Sequence, residues 1–245
     1  MSQRPDAGRS VPDDRGSTPT TPRPRRDGPV AHTSTEWKAP TMSTFYNIAY
    51  AVGFTPWEKA GQADGDRIAR LFEREEVDRG GPGKALDLGC GSGLHAVTLA
   101  QRGWDVTGVD VIGKALDRAR RRAAAAGVSA TFVHADVTQL PTDTVGSGFD
   151  FFLDIGCFHG LDAQNRRAMA RSVSARATPE ATLVMLAFCK PVGPPFMPTG
   201  AKRSDIEEAY LDWAVVDVLK LPTHTAGLPK IARSSEPTLY RLARR

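Results

Sequence analysis

Lys84-Ala85-Leu86-Asp87-Leu88-Gly89-Cys90-Gly91-Ser92-Gly93 decides the fold: a short apolar strand runs straight into glycines at every second position. Glycine is required where the backbone must turn sharply and let a ligand come close to where any Cβ would collide. Gly93 to Arg102 then reads as a helix stopped by Gly103, and Trp104 to Asp110 as a second strand. Strand, glycine turn, helix and strand make the opening of a βαβ unit. Its second strand ends on Asp110, near the place, about 20 residues on, where a nucleotide-binding unit keeps its ribose-binding acid.

Working outward, strand-length and helix-length apolar segments alternate. A helix is expected from Lys114 to Ala126, ended by Gly127, followed by a strand at Ala130 to His134. A fourth strand falls at Phe149 to Leu153, a helix at Asp162 to Ala177 and a fifth strand at Thr182 to Phe188. Next comes a loop holding Pro191, Pro194, Pro195 and Pro198, then Ser204 and Glu207 at capping-box spacing for a short helix. Two late strands follow, near Ala214 to Leu219 and Thr238 to Leu242. The alternation predicts an α/β, Rossmann-like fold with a seven-stranded, mostly parallel sheet and helices on both faces. Residues 84–245 make the core, and 42–83 read as a lid with substrate-binding helices. Residues 1–41, dense in Pro and Arg as in Pro22-Arg23-Pro24-Arg25-Arg26, are expected to be a disordered tail.

Composition narrows the function classes. A chain of 245 residues, 40% hydrophobic, can bury one full-sized core. The formal charge of +4 includes the arginine-rich tail, so the core carries no clustered basic face and nucleic acid is not an expected partner. Cys90, Cys157 and Cys189 stand far apart in neither a CxxC nor a Cys/His spacing, which argues for reduced thiols and against a metal. No apolar run is long enough to span a bilayer and no secretory signal opens the chain, so the reading is cytoplasmic, with no membrane partner.

With its leading acid, Leu86-Asp87-Leu88-Gly89-Cys90-Gly91-Ser92-Gly93 resembles the first motif of the class I S-adenosylmethionine-dependent methyltransferases, an acid suited to a cofactor bearing an ammonium group. The resemblance implies that Asp87 and the turn through Gly89, Cys90, Gly91 and Gly93 hold the methionine and ribose portions of S-adenosyl-L-methionine. It implies that Asp110 accepts from both ribose hydroxyls, Asp136 from the adenine amino group, and that Val111 and Val137 sandwich the ring. Gly53-Phe54-Thr55-Pro56-Trp57-Glu58 is similar to an element of thiol, halide and related small-molecule methyltransferases, with Glu58 where that family has Asp. Asp154-Ile155-Gly156-Cys157-Phe158-His159-Gly160-Leu161 resembles a segment of an actinobacterial group acting on thiols and aromatic heterocycles. So does the run from Ala187-Phe188-Cys189 to Ser204. Asp154 is placed with the cofactor site on this basis.

Methyl transfer is an in-line displacement at a sulfonium carbon, so the protein must align acceptor, methyl and leaving sulfur and remove a proton where the acceptor carries one. A thiolate or heterocyclic nitrogen needs little help. A phenol or hydroxylamine needs a base, and His159 is the candidate, since imidazole titrates in the right range. Trp57 and Tyr46 are candidates for an aromatic wall beside the sulfonium, whose charge is attracted to ring faces. Cys90, His95 and His134 read as structural. The absence of an Asn-Pro-Pro-Tyr or Asp-Pro-Pro-Tyr run after the fourth strand argues against adenine-modifying nucleic-acid methyltransferases. The expectation is a methyltransferase of specialised metabolism or detoxification, acting at sulfur, nitrogen or oxygen of a small aromatic or heterocyclic substrate. The alternative is a cofactor-binding cyclase of natural-product biosynthesis that transfers no methyl group.

Overall fold

In the computed structural model, which describes residues 65–191, 198–222 and 235–245, Lys84–Leu88 forms β1. It is apolar on both faces because parallel neighbours flank it: β2 (Asp105–Asp110) on one side and β4 (Phe149–Ile155) on the other. Beyond β2 lies β3 (Thr131–His134). Beyond β4 come β5 (Ala177–Phe188), then β7 (Pro237–Arg244) and β6 (Trp213–Lys220). The order is β3-β2-β1-β4-β5-β7-β6, with β7 antiparallel to both its neighbours. This is the seven-stranded, mostly parallel sheet that the alternating segments imply. The chain leaves β1 in one direction and returns to the other side with β4, so the sheet has its crevice at the carboxyl ends of β1 and β4.

Two helical layers bury the sheet. On one face, α1 (Gly65–Arg79), α2 (Leu94–Gln101) and α3 (Gly113–Ala125) place Ile68, Phe72, Val97, Leu99 and Leu116 over Ala85, Val106, Phe151 and Leu153. On the other, α4 (Thr142–Val145), α5 (Ala163–Ser174) and α6 (Arg203–Ala209) set Val145, Met169, Val173 and Ile206 over Leu86, Phe152, Leu183 and Met185. Asp162 caps α5, its carboxylate accepting from the Asn165 N–H at 2.8 Å. No helix among the described residues is long and apolar enough to cross a membrane.

The structure corrects several boundaries. Trp104 is not part of β2; its indole packs on Phe151 with centroids 5.3 Å apart and donates to Glu76. β4 runs two residues further than the apolar run suggests and takes Asp154 into the sheet. β5 starts at Ala177, where Phe149 pairs with it, and the register shifts before Thr182 resumes the ladder. The expected helix up to Ala177 accordingly stops at Ser174. The cap of α6 is Lys202 rather than Ser204, with Asp205 returning to the Lys202 N–H at 2.7 Å. His134 ends the outermost strand, β3. Residues 65–79 of the segment read as a lid form a layer of the core. Residues 1–64, including Tyr46 and Trp57, lie outside the described residues.

One network locks α1 to the distal sheet. Glu75, 1% exposed, accepts from the Thr182 hydroxyl and the Arg241 Nε, each at 2.6 Å, and from Arg79 at 3.2 Å. Deleting one partner of a buried ionic set strands the others. Glu75→Ala is therefore expected to destabilise the fold by about 3–5 kcal/mol, read from the urea midpoint, whereas Glu75→Gln, which keeps the shape and two acceptor contacts, should lose less.

Candidate functional site

The turn after β1 is held from several directions. Cys90 N–H donates to the Val109 carbonyl at 2.9 Å, and Gly91 N–H to Asp110 Oδ2 at 2.9 Å. From α3, Arg122 donates through Nε to the Ser92 carbonyl at 3.0 Å and through Nη2 to its hydroxyl at 3.2 Å. Two of the glycines are forced. Gly89 has φ +70°, and a Cβ there would stand 3.0 Å from Cys157 Cβ; Gly93 has φ +74°, and its Cβ would meet that of Ala119 at 2.8 Å. The first contact brings the turn after β4 against the turn after β1. Cys90 is a buried packing residue, its thiol pushed well above the usual range by burial and by Asp87 and Asp110.

Three buried carboxyls stand at the ends of three neighbouring strands: Asp110 of β2, Asp87 of β1 and Asp154 of β4. Asp110 is fixed by two backbone donors, Gly91 on Oδ2 and Ile112 on Oδ1 at 2.8 Å; burial raises its pKa against those bonds. Burial, with the neighbouring Asp110 and Asp154, pushes Asp87 up to about 8. Burial pushes Asp154 up to about 7 even though backbone N–H groups favour its charge. Its oxygens accept from Cys157 N–H at 2.7 Å and Phe158 N–H at 3.0 Å. Asp154 thus shapes the turn after β4 from a fully buried position inside the strand, which corrects its placement beyond the strand. Such a cluster, crowded enough to hold protons, suits a ligand that brings positive charge.

Past β2, Val111 is 43% exposed beside Asp110, and its carbonyl lies 2.9 Å from His134 Nε2. Asp136 forms a local turn in which Oδ1 takes both the N–H and the hydroxyl of Thr138 at 2.8 Å. Val137 points into the core with Leu140 and Val145, so the expected pair of valines reduces to Val111 as open apolar surface.

His159 does not sit as a base would. It lies on the short 3₁₀ turn Phe158–Gly160, 3% exposed, its ring 4.8 Å from that of Phe188. Nδ1 accepts the Phe188 N–H at 3.2 Å, so the neutral ring carries its proton on Nε2 and has no lone pair left for a substrate. Burial and then the Arg166 guanidinium push its pKa down to about 4. The expectation of general-base catalysis by His159 fails on these contacts. Sequence reasoning missed Arg166, which bonds the carbonyls of Phe158, His159 and Gly200 from a buried position on α5. Its signal was an arginine on the apolar stripe that continues through Met169, Ala170 and Val173.

A cavity of about 710 Å³ opens at the opposite end of the sheet, between Gly80–Gly83, Asp150 and Thr178. Its arginines, Arg79 and Arg241, are already tied to Glu75, and neither the glycine turn nor the three acids reach it.

A methyltransferase-domain family model matches residues 85–180, which run from β1 into β5. The 2-heptyl-1-hydroxyquinolin-4(1H)-one methyltransferase of Mycobacteroides abscessus is 33% identical over 165 residues, an alignment covering 66% of this chain and 69% of that protein. Among solved structures, magnesium protoporphyrin IX methyltransferase of Synechocystis aligns with a TM-score of 0.66 at 17% identity, over 83% of this chain and 99% of that one. The 1,6-didemethyltoxoflavin-N1-methyltransferase of Burkholderia thailandensis aligns with a TM-score of 0.64 at 21% identity, over 89% and 92%. These structures share the fold. With a glycine turn too tight for side chains, a ribose-type acid at the end of β2 and this degree of kinship, the chain belongs to the class I S-adenosylmethionine-dependent methyltransferases, with S-adenosylmethionine as its cofactor.

Proposed function

We propose that this enzyme methylates a small aromatic or heterocyclic molecule whose accepting atom is already nucleophilic: a thiolate, a ring nitrogen or an acidic hydroxyl. The observation that carries the reading is the engagement of His159 Nδ1 by Phe188 N–H, which occupies the lone pair of the candidate base that a poorly acidic acceptor would need. The Mycobacteroides relative supports it, since its named substrate carries an N-hydroxyl conjugated through the ring to a carbonyl and ionises more readily than an alcohol.

In this reading the glycine turn from Gly89 to Gly93 lies along the methionine and ribose portions of the cofactor. Asp110 offers the ribose hydroxyls the lone pairs that Gly91 and Ile112 leave, Val111 lies under the adenine, and Asp136 accepts from its amino group. Asp87 faces the cationic end. Tyr46 and Trp57 close the acceptor side, where aromatic faces favour the sulfonium and exclude water. The bound cofactor supplies the electrophilic methyl group; the chain supplies alignment and a dry, charge-matched cleft.

The test is release of S-adenosylhomocysteine over a panel of thiols, N-heterocycles, phenols and 2-heptyl-1-hydroxyquinolin-4(1H)-one. The expected result is turnover on thiols, ring nitrogens and acidic hydroxyls, and none on simple alcohols. Turnover confined to alcohols and weakly acidic phenols would overturn the acceptor class. Cofactor binding without turnover on any member would favour the non-methylating alternative.

A further inference from the structure

Two loops meet over the carboxyl ends of β4 and β5, and two side chains hold them together. The turn after β4 is Gly156–Leu161. The loop after β5 leaves Phe188 and returns at Ala201, whose N–H donates to the Phe188 carbonyl at 2.7 Å. Gly200, at φ +86°, sits so close to Lys190 that a Cβ would stand 2.8 Å from its carbonyl carbon. The return of this loop is therefore tightly defined, although residues 192–197 within it are outside the described set.

Across this junction, Arg166 donates from Nε to the Phe158 carbonyl at 3.3 Å and from Nη2 to the carbonyls of His159 at 3.3 Å and Gly200 at 2.5 Å. The guanidinium also lies 5.2 Å over the Phe158 ring, and Nη1 is 3.6 Å from Asp205. From the other side His159 takes the Phe188 N–H on Nδ1. One loop thus supplies the carbonyls of Phe158 and His159 together with the imidazole; the other supplies the Gly200 carbonyl and the Phe188 N–H. Arginine suits this role because its planar fork can serve three carbonyls at once.

We propose that Arg166 and His159 are positioning residues that act as one clamp, holding the turn after β4 against Phe188 and Gly200–Ala201 in the arrangement that receives the methyl acceptor, with neither exchanging a proton in the reaction. This rests on the acceptor-side reading under Proposed function: the turn after β4 meets the glycine turn at its start, where Cys157 faces Gly89, and the clamp grips its far end at Phe158 and His159, next to β5. In the proposed cofactor site the contacts come from β1, β2 and the turn after β3, so the clamp acts on acceptor affinity far more than on cofactor affinity.

The experiment compares His159→Asn, His159→Ala, Arg166→Lys and Arg166→Ala with the parent. Three quantities are read: amide hydrogen exchange, the Kd for S-adenosylhomocysteine, and KM and kcat for 2-heptyl-1-hydroxyquinolin-4(1H)-one. Asparagine can present Oδ1 where Nδ1 stood, so His159→Asn is expected to keep KM within about threefold while His159→Ala raises it about tenfold, the scale of one lost buried hydrogen bond. Arg166→Ala should raise KM more than His159→Ala, and Arg166→Lys should fall between it and the parent. In both alanine variants exchange at Phe158 in the turn after β4, and at Phe188 and Ala201 flanking the loop after β5, should accelerate about tenfold or more while the S-adenosylhomocysteine Kd stays within about twofold.

Equal loss of kcat in His159→Asn and His159→Ala would overturn the proposal in favour of proton transfer. Unchanged exchange at both loops would overturn it as well, as would cofactor affinity falling in step with acceptor affinity. Should the parent fail to methylate this quinolone, the choice of substrate fails while the exchange measurement still decides the clamp: acceleration at both loops upholds it, and its absence overturns it.

Discussion

Asp110→Ala is expected to weaken S-adenosylmethionine binding by ~10²–10³-fold in a calorimetric titration, the combined effect of losing hydrogen bonds from two ribose hydroxyls to a charged acceptor. The same change removes the acceptor for Gly91 N–H and Ile112 N–H, so it loosens the glycine turn and the start of α3 together. Asp110→Asn separates these contributions. It keeps one oxygen acceptor but turns the other position into a donor that must face an N–H or a hydroxyl, so it should fall between the parent and alanine. Both variants should fold, because Asp110 lies at the end of β2 and its neighbours there are the turn and α3 rather than the apolar clusters. Parent-like binding by Asp110→Ala would remove this residue from the cofactor site.

The second large effect is electrostatic: the preference for S-adenosylmethionine over S-adenosylhomocysteine should grow as pH rises from about 6 to about 8. Asp87, pushed up to about 8, and Asp154, pushed up to about 7, are substantially protonated at the lower pH. An incoming sulfonium favours their anions, so binding releases protons. Affinity then climbs by up to about tenfold per pH unit for each proton released and levels off once the acids ionise unaided. S-adenosylhomocysteine shares the α-ammonium but has no sulfonium, so it should show the shallower slope. Titration in buffers of different ionisation enthalpy counts the protons directly; equal release by the two ligands would refute the argument. The same raised values set a stability trend of known sign. Between the unfolded carboxylate range, near 3.8, and about 8, the folded ligand-free protein binds more protons at Asp87 than the unfolded chain does. Its stability therefore falls across that window as pH rises. Asp87→Asn should flatten the fall.

Much of this was legible in the sequence where a local rule and the packing agreed. β1 runs from Lys84 to Leu88 as read, and the helix after it is bounded by Gly93 and Gly103 because those positions need positive φ, +74° and +93°. The errors arose where distant residues decide. Thr178-Pro179-Glu180 looks like a turn, yet the pairing of Phe149 with Ala177 extends β5 through it. Asp154 looks like a residue beyond a strand because a buried, partly protonated carboxyl is rare; it is tolerated here because two N–H groups of the following turn satisfy it. His159 has the residue type of a base. What disqualifies it is an amide donor twenty-nine positions away, which no local pattern reveals. Arg166 and Glu75 escaped for the same reason, since the partners that explain them come from β5, β7 and the loop at Gly200.

The place of β7 sets an order of events during synthesis. It lies between β5 and β6 although it follows both in the chain, so β6 has no strand beside it until Pro237–Arg244 has cleared the ribosome. While that wait lasts, β5 presents the open ladder edge that later pairs Thr182 with Ala243 through to Phe188 with Pro237. The half of the sheet built from β1, β2, β3 and β4, which carries the glycine turn and Asp110, can form earlier, as its pairings need nothing beyond residue 155. A nascent chain stalled in that interval would own a nearly finished nucleoside cleft and an unprotected edge at once. Early encounter with the cofactor would then act as a folding aid, holding the first half together until the last strand arrives.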